Sequence, residues 1–203
     1  MTSPSFCSSE EWPGRRIPHT EDVLVMNGLP DPVATAVSLQ TAAVRVTHHP
    51  PTALGTVGHS IVLREPHVTP DTLTRVEVWP HGKPQQSVSL LWERKPGAEG
   101  IGIFYSDTAD TLFVGAGTFA AAVRLATGQV AGAHEVFLFW SFQPSGGFVL
   151  ELGETACFLR SQAGEVLAET AVDAPYELFE TPEGVRFESV RMEPKWLRFP
   201  APG

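Results

Sequence analysis

Leu73-Thr74-Arg75-Val76-Glu77-Val78-Trp79 and Val88-Ser89-Leu90-Leu91-Trp92-Glu93-Arg94 stand on either side of Pro80-His81-Gly82-Lys83-Pro84. The first stretch alternates Val76 and Val78 against Arg75 and Glu77, and the second puts Val88, Leu90 and Trp92 on one face. A period of two means a strand with one apolar face, because successive side chains of a pleated strand point to opposite sides. Proline fixes φ and glycine accepts a turn conformation, so the intervening segment closes the two runs into a hairpin.

Outward from this hairpin the same grammar continues. Strands are expected at Val23–Met26, Ala42–Thr47, Ser60–Arg64, Ile101–Tyr105, Thr111–Gly115, Phe119–Leu125, Glu135–Phe142, Phe148–Leu152, Thr155–Arg160, Glu165–Thr170, Tyr176–Glu180, Val185–Val190 and Lys195–Phe199. The run Val136–Phe142 is apolar at almost every position, which reads as a central strand covered on both faces. Propensity alone allows helix at Asp31–Leu39 and in the alanine-rich Phe119–Ala126.

An internal alignment decides the second case. Leu112–Val130 superimposes on Phe148–Val166 at an offset of 36 residues, with Gly117/Gly153, Ala120/Ala156, Arg124/Arg160, Gly128/Gly164 and Val130/Val166 identical. Thr155–Arg160 is strand-like, so its counterpart Phe119–Leu125 is read as strand too. Both copies run apolar strand, glycine turn, strand ending in arginine, glycine turn, strand. The expected fold is all-β, largely antiparallel, a sandwich or incomplete propeller containing two meander repeats of about 36 residues.

The stretch Thr111-Leu112-Phe113-Val114-Gly115, with Ala122-Val123-Arg124-Leu125-Ala126-Thr127-Gly128-Gln129-Val130, resembles the quinoprotein-type β-propeller repeat, and Gly153–Val166 resembles it more loosely. Arg124 and Arg160 stand where that repeat has Asp, and Gly132 and Ala168 where it has Trp. The resemblance implies strand–turn–strand geometry; with these departures it does not imply a quinone cofactor.

Twelve of 18 prolines and six of seven histidines fall in the first hundred residues, and eleven of 12 phenylalanines after them. Residues 1–20 read as a flexible tail. Residues 21–203 read as one domain, with an irregular Pro/His-rich half (21–100) and an aromatic-rich half (101–203) that supplies most of a shared core.

The net charge is -9, and no basic cluster exceeds Arg15-Arg16, so nucleic-acid binding is not expected. No segment has the apolar length of a membrane span, and the first residues lack a signal-peptide pattern, so the expected location is the cytoplasm. Cys7 and Cys157 are read as free thiols.

Chemistry-bearing patterns are sparse. There is no Gly-x-Ser-x-Gly elbow, phosphate loop or dinucleotide fingerprint. No histidine pair has the His-x-His spacing of a strand-borne metal site, so no metal and no cofactor are expected. Asp107 with Asp110, and Glu151 with Glu154, lie near strand ends.

The first expectation is therefore a non-enzymatic module that binds a protein or associates with itself through Trp140, Phe142, Phe179 and Trp196. A bacterial immunity or inhibitor protein is a second reading of that class, suggested by a small acidic chain. The rival is an enzyme or small-molecule binder whose pocket gathers His48, His59, His67 and His81, with Glu77 nearby.

Overall fold

The computed structural model describes residues 15–16, 23–26, 35–38, 41–56, 60–95 and 100–201. They form β1 (Arg15–Arg16), β2 (Val23–Met26), β3 (Thr35–Ser38), β4 (Ala42–His49), a 3-10 turn (Pro51–Thr56), β5 (Ile61–Arg64), β6 (Thr72–Pro80), β7 (Gln86–Trp92), β8 (Ile101–Ser106) and β9 (Thr111–Ala116). The chain continues through β10 (Phe119–Arg124), β11 (Gln129–Glu135), β12 (Phe139–Ser145), β13 (Phe148–Gly153), β14 (Ala156–Arg160), β15 (Val166–Ala171), β16 (Tyr176–Thr181), β17 (Gly184–Ser189) and β18 (Lys195–Arg198). The fold is all-β. No helix of the described residues is long and apolar enough to cross a membrane.

Four sheets result: sheet I (β3-β4-β6-β7-β5), sheet II (β11-β10-β9-β8-β2), sheet III (β12-β13-β14-β15) and sheet IV (β1-β16-β17-β18). Strand pairing is antiparallel throughout except for β5 on β7. The hairpin that opens the sequence argument is β6–β7, with Val76 opposite Val88 and Gly82 at φ 74° in its turn. Arg15–Arg16, inside the stretch expected to be a tail, pairs with Glu180 and Phe179 of β16.

Three apolar layers separate the four sheets. Val44, Val76, Leu90 and Trp92 of sheet I meet Ile103, Leu112, Val114 and Val123 of sheet II. On the opposite face of sheet II, Phe104, Phe113, Ala120 and Ala122 meet Phe139, Phe142, Val149 and Phe158 of sheet III. Leu150, Leu152, Cys157 and Leu159 then meet Val185, Phe187 and Leu197 of sheet IV. The sheets thus form an open row in the order I, II, III, IV, with no closed barrel. Sheet II is covered on both faces, which is why β8, β9 and most of β10 are buried at consecutive positions.

The aligned copies occupy β9–β11 and β13–β15. Each outer strand carries a bulge that skips one residue, Ala131 in β11 and Leu167 in β15, at the same offset of 36 as the sequence alignment. Gly128 and Gly164 both hold positive φ, 69° and 95°, in the preceding turns. A bulge twists an edge and discourages edge-to-edge pairing.

The expected central strand at 135–142 is corrected. β11 ends at Glu135, residues 136–138 carry the chain from sheet II to sheet III, and β12 begins at Phe139 as an edge strand. Its continuous apolar character has a different cause: Val136 and Phe139 plug the layer between the two sheets, while Phe137 is 59% exposed and Leu138 takes φ 48° to make the crossing. Phe139 fits because Gly102 and Gly115, directly opposite each other on β8 and β9, leave a slot for its ring. A Cβ at either glycine would stand 2.6 or 2.5 Å from ring carbons. The helix allowed at Asp31–Leu39 is replaced over Thr35–Ser38 by β3; its other residues lie outside those described.

Candidate binding faces

Of the four expected pocket histidines, the three described, His48, His67 and His81, do not converge. His48 points inward from β4, where its Nδ1 lies 2.7 Å from Thr74 Oγ1, the same hydroxyl that accepts the Trp92 indole N–H at 2.9 Å. His81 sits in the β6–β7 turn, at the opposite end of the β4–β6 ladder, and is exposed. Six residues of strand separate those ends, about 20 Å. His67 is exposed, with Nε2 3.7 Å from Glu135. His59 lies outside the described residues. Among the described residues no group of three or more His, Cys, Asp or Glu is placed to hold a metal ion.

Of the carboxylates singled out in the sequence, Glu151 and Asp110 are held by several partners. Among the described residues the Asp107 carboxylate reaches only Lys83, at 3.5 Å, and Glu154 Oε2 is buried with no hydrogen-bond partner. Glu151 of β13 is fully buried and accepts the Arg160 Nε–H at 2.6 Å, while Arg160 also donates to Gly164 O at 2.8 Å and to His134 Nδ1 at 2.8 Å. Because His134 Nδ1 accepts, its proton sits on Nε2, which stands 2.8 Å from Glu151 Oε1 in a close but poorly aligned contact. Only Nδ1 is thereby hydrogen-bonded; Nε2 has no hydrogen-bond partner among the described residues. Asp110 accepts from Tyr105 OH at 2.8 Å and from Lys83 at 3.1 Å, joining the β6–β7 turn to sheet II. These bonds hold the Lys83 ammonium well above the usual lysine range.

A bridge that sequence reasoning missed is built on Glu65, fully buried, whose carboxylate accepts backbone N–H bonds from Glu93 and Thr118 at 2.8 Å each and also contacts the Thr118 hydroxyl. Its signal was a lone acid, Leu63-Arg64-Glu65-Pro66, immediately after an apolar strand.

Cys157 is buried between sheets III and IV, its thiol 3.3 Å from the Tyr176 hydroxyl, which donates to Gly153 O at 2.8 Å. Burial pushes the thiol up to about 12 and pushes the Tyr176 phenol far above its ordinary value. Burial and the Asp110 bond push Tyr105 up to about 12. The folded state therefore holds these protons at pH values where the unfolded chain has released them. Their contribution to stability is complete below about 9 for the thiol and 10 for Tyr105, and is lost as pH rises toward 12. Urea unfolding between pH 8 and 11 is expected to show stability falling from about pH 9, with Cys157→Ala removing the earliest part of that fall. Native Cys157 is expected to resist a thiol reagent until the chain unfolds.

The four aromatic candidates separate into two groups. Phe142 is fully buried, 4.9 Å from Phe139 and 5.6 Å from Phe113 between ring centroids, so it belongs to the core and offers no surface. Trp140 stacks on Tyr176 at 5.2 Å and packs into the layer between sheets III and IV. Phe179 and Trp196 lie on the other side of sheet IV, the last of the row.

That outer face is organised in cross-strand rows. Glu177 is opposite Glu188; next come Phe179, Arg186 and Trp196 side by side; then Thr181, Gly184 and Arg198. The Arg186 guanidinium lies 5.2 Å from the Phe179 ring and 6.0 Å from the Trp196 ring, and Arg198 lies 5.2 Å from Trp196. Cation–π stacking holds the arginines flat on the aromatics. Arg186 pairs with Glu188 at 2.7 Å and Arg198 with Glu183 at 2.6 Å. A groove of about 350 Å³ beside Pro175, Tyr176, Glu177 and Val190 adjoins the acidic row, and Val190 is 90% exposed.

The opposite end of the row differs. The outer face of sheet I carries Arg45, Arg75, Glu77 and Trp79, with Arg45 5.4 Å from the Trp79 ring and Glu77 between the two arginines. The 3-10 turn covers its apolar corner, packing Ala53 and Leu54 on Leu73 and Leu91. No protein-family model matches the chain, and no curated protein matches it.

Proposed function

We propose that the protein is a non-enzymatic interaction module that pairs with a second copy of itself through the outer face of sheet IV. What carries this reading is the Phe179–Arg186–Trp196 row on the terminal sheet. In stacked architectures the terminal units are capped by polar outer faces, and aromatic and arginine side chains are the residues that dominate binding energy when a face is covered. Sheet I has the capped character, and sheet IV has the binding character.

Charge favours a second copy as the occupant. The face carries Glu177 and Glu188 at one end and Arg198, paired with Glu183, at the other, with the aromatic row between. A two-fold axis along that middle row sets Glu177 and Glu188 of each copy against Arg198 of the other, the self-complementarity an isologous interface requires.

The supporting ground for a non-enzymatic role is that Glu65, His134, Glu151, Arg160, Cys157 and Tyr176 are taken up in contacts within and between sheets.

Light scattering of the purified chain across a concentration series tests the reading. A dimer is expected that Trp196→Ala dissociates by about tenfold or more, while Trp79→Ala, at the other end of the row, leaves it intact. A wild-type chain that stays monomeric at every concentration sinks the proposal and returns a different protein as the partner.

A further inference from the structure

Where the start of β5, the start of β7 and the middle of β6 meet, the outer side of sheet I has an open depression of about 520 Å³. Its lining is Ser60, Ile61, Arg75, Gln85, Gln86 and Ser87, predominantly polar donors around one guanidinium. The volume lies in the usual range of small-ligand sites.

The charge balance there is the informative feature. Among the described residues the carboxylate in reach is Glu77, and it is shared: Oε1 takes Arg75 Nη2 at 3.3 Å and the Gln85 amide at 3.0 Å, while Oε2 stands 3.8 Å from Arg45 Nη1. Two guanidiniums around one carboxylate leave a local positive charge on a chain whose net charge is -9. Arg75 is also under-used: its Nε–H is buried with no acceptor among the described residues. A guanidinium presents its donors in a rigid fork that suits a bidentate oxyanion. Ser89, directly opposite Arg75 on β7, holds Ser60 Oγ at 2.9 Å, which fixes a hydroxyl at the edge of the depression.

We infer that this depression is a binding site for a small oxyanion-bearing ligand, a carboxylate or phosphate ester of metabolite size, with Arg75 as the charged anchor and the serine and glutamine side chains as secondary donors. The site lies at the end of the row opposite the proposed dimer face. Among the described residues no histidine lines it; His48, His67 and His81 lie elsewhere, and His59 is outside the described residues.

Calorimetric titration of the folded chain with inorganic phosphate and, separately, with succinate tests the inference, followed by the guanidinium N–H resonances. Saturable binding of at least one probe is expected, weakened roughly tenfold or more by Arg75→Gln, since a hydrogen bond to a charged group is worth about one such factor. Ser60→Asp, which sets a carboxylate where the ligand's would lie, is expected to abolish binding at a half-exposed position that tolerates a polar residue; it decides the matter if Arg75→Gln does not fold. The tighter probe names the ligand's head group. Failure of both probes to saturate the wild-type chain, or unchanged affinity in the folded variants, overturns the site.

Discussion

Glu151→Ala is expected to lower stability by about 3–5 kcal/mol, because it leaves a guanidinium buried with no carboxylate. Arg160 is wholly shielded from solvent, and its strongest partner is Glu151 at 2.6 Å. Its remaining acceptors, Gly164 O and His134 Nδ1, are neutral. In a chain of this length each kcal/mol is worth roughly 2–4 °C, so thermal unfolding is expected to drop by about 10 °C or more. The loss is expected to come from the uncompensated charge and not from the fold's need for an ion pair. Glu151→Leu combined with Arg160→Met is therefore expected to recover most of it, as apolar replacements of buried pairs do. A single variant that unfolds within about 2 °C of wild type would show that water reaches Arg160 and that this bridge does not lock sheet II to sheet III.

This bridge shows what the sequence held and what it withheld. The strands of the first hairpin were legible because one-sided alternation is a local property: β6 and β7 follow from Val76, Val88 and their spacing, whereas β10, buried on both faces, was read as strand only through its repeat counterpart β14. Glu151 inside Phe148-Val149-Leu150-Glu151-Leu152 was a local sign of a buried partner, but the partner's identity depends on the register of β13 on β14. The repeat alignment shows why only one copy has the pair. Gly115 stands where Glu151 does, so the counterpart arginine, Arg124, is left half-exposed with Glu165 at 3.4 Å. Gly102 and Gly115, glycines within strands, signalled a close approach, yet nothing local named Phe139 as the ring that fills it. The run 136–142 was misread because a segment passing from one sheet to the next is as apolar as a central strand. Phe179 and Trp196 were named in sequence together with Trp140 and Phe142, but which of the four meet another sheet depends on where the row ends, which no window of sequence records.

Phe142→Ala tests that distinction between buried and presented aromatics. Phe142 looks in sequence like Phe179 and Trp196, a large ring in a strand of the second half, but it is sealed between Phe113 and Phe139. Removing it deletes the ring's transfer energy and opens a cavity that sheets II and III cannot close without moving Phe139 out of its glycine slot. The expected loss is about 3–5 kcal/mol, read by urea unfolding, with no change in the self-association of the molecules that remain folded. The cavity is lined by phenylalanines and small apolar groups, so it is expected to stay dry and to take up benzene, which restores part of the lost stability in proportion to its concentration. Trp196→Ala has the opposite signature, with association lost and unfolding little altered, since a half-exposed ring on an open face leaves no cavity. If Phe142→Ala instead dissociates the protein at unchanged stability, the layer between sheets II and III is not the closed core that its packing implies, and the binding surface runs through it.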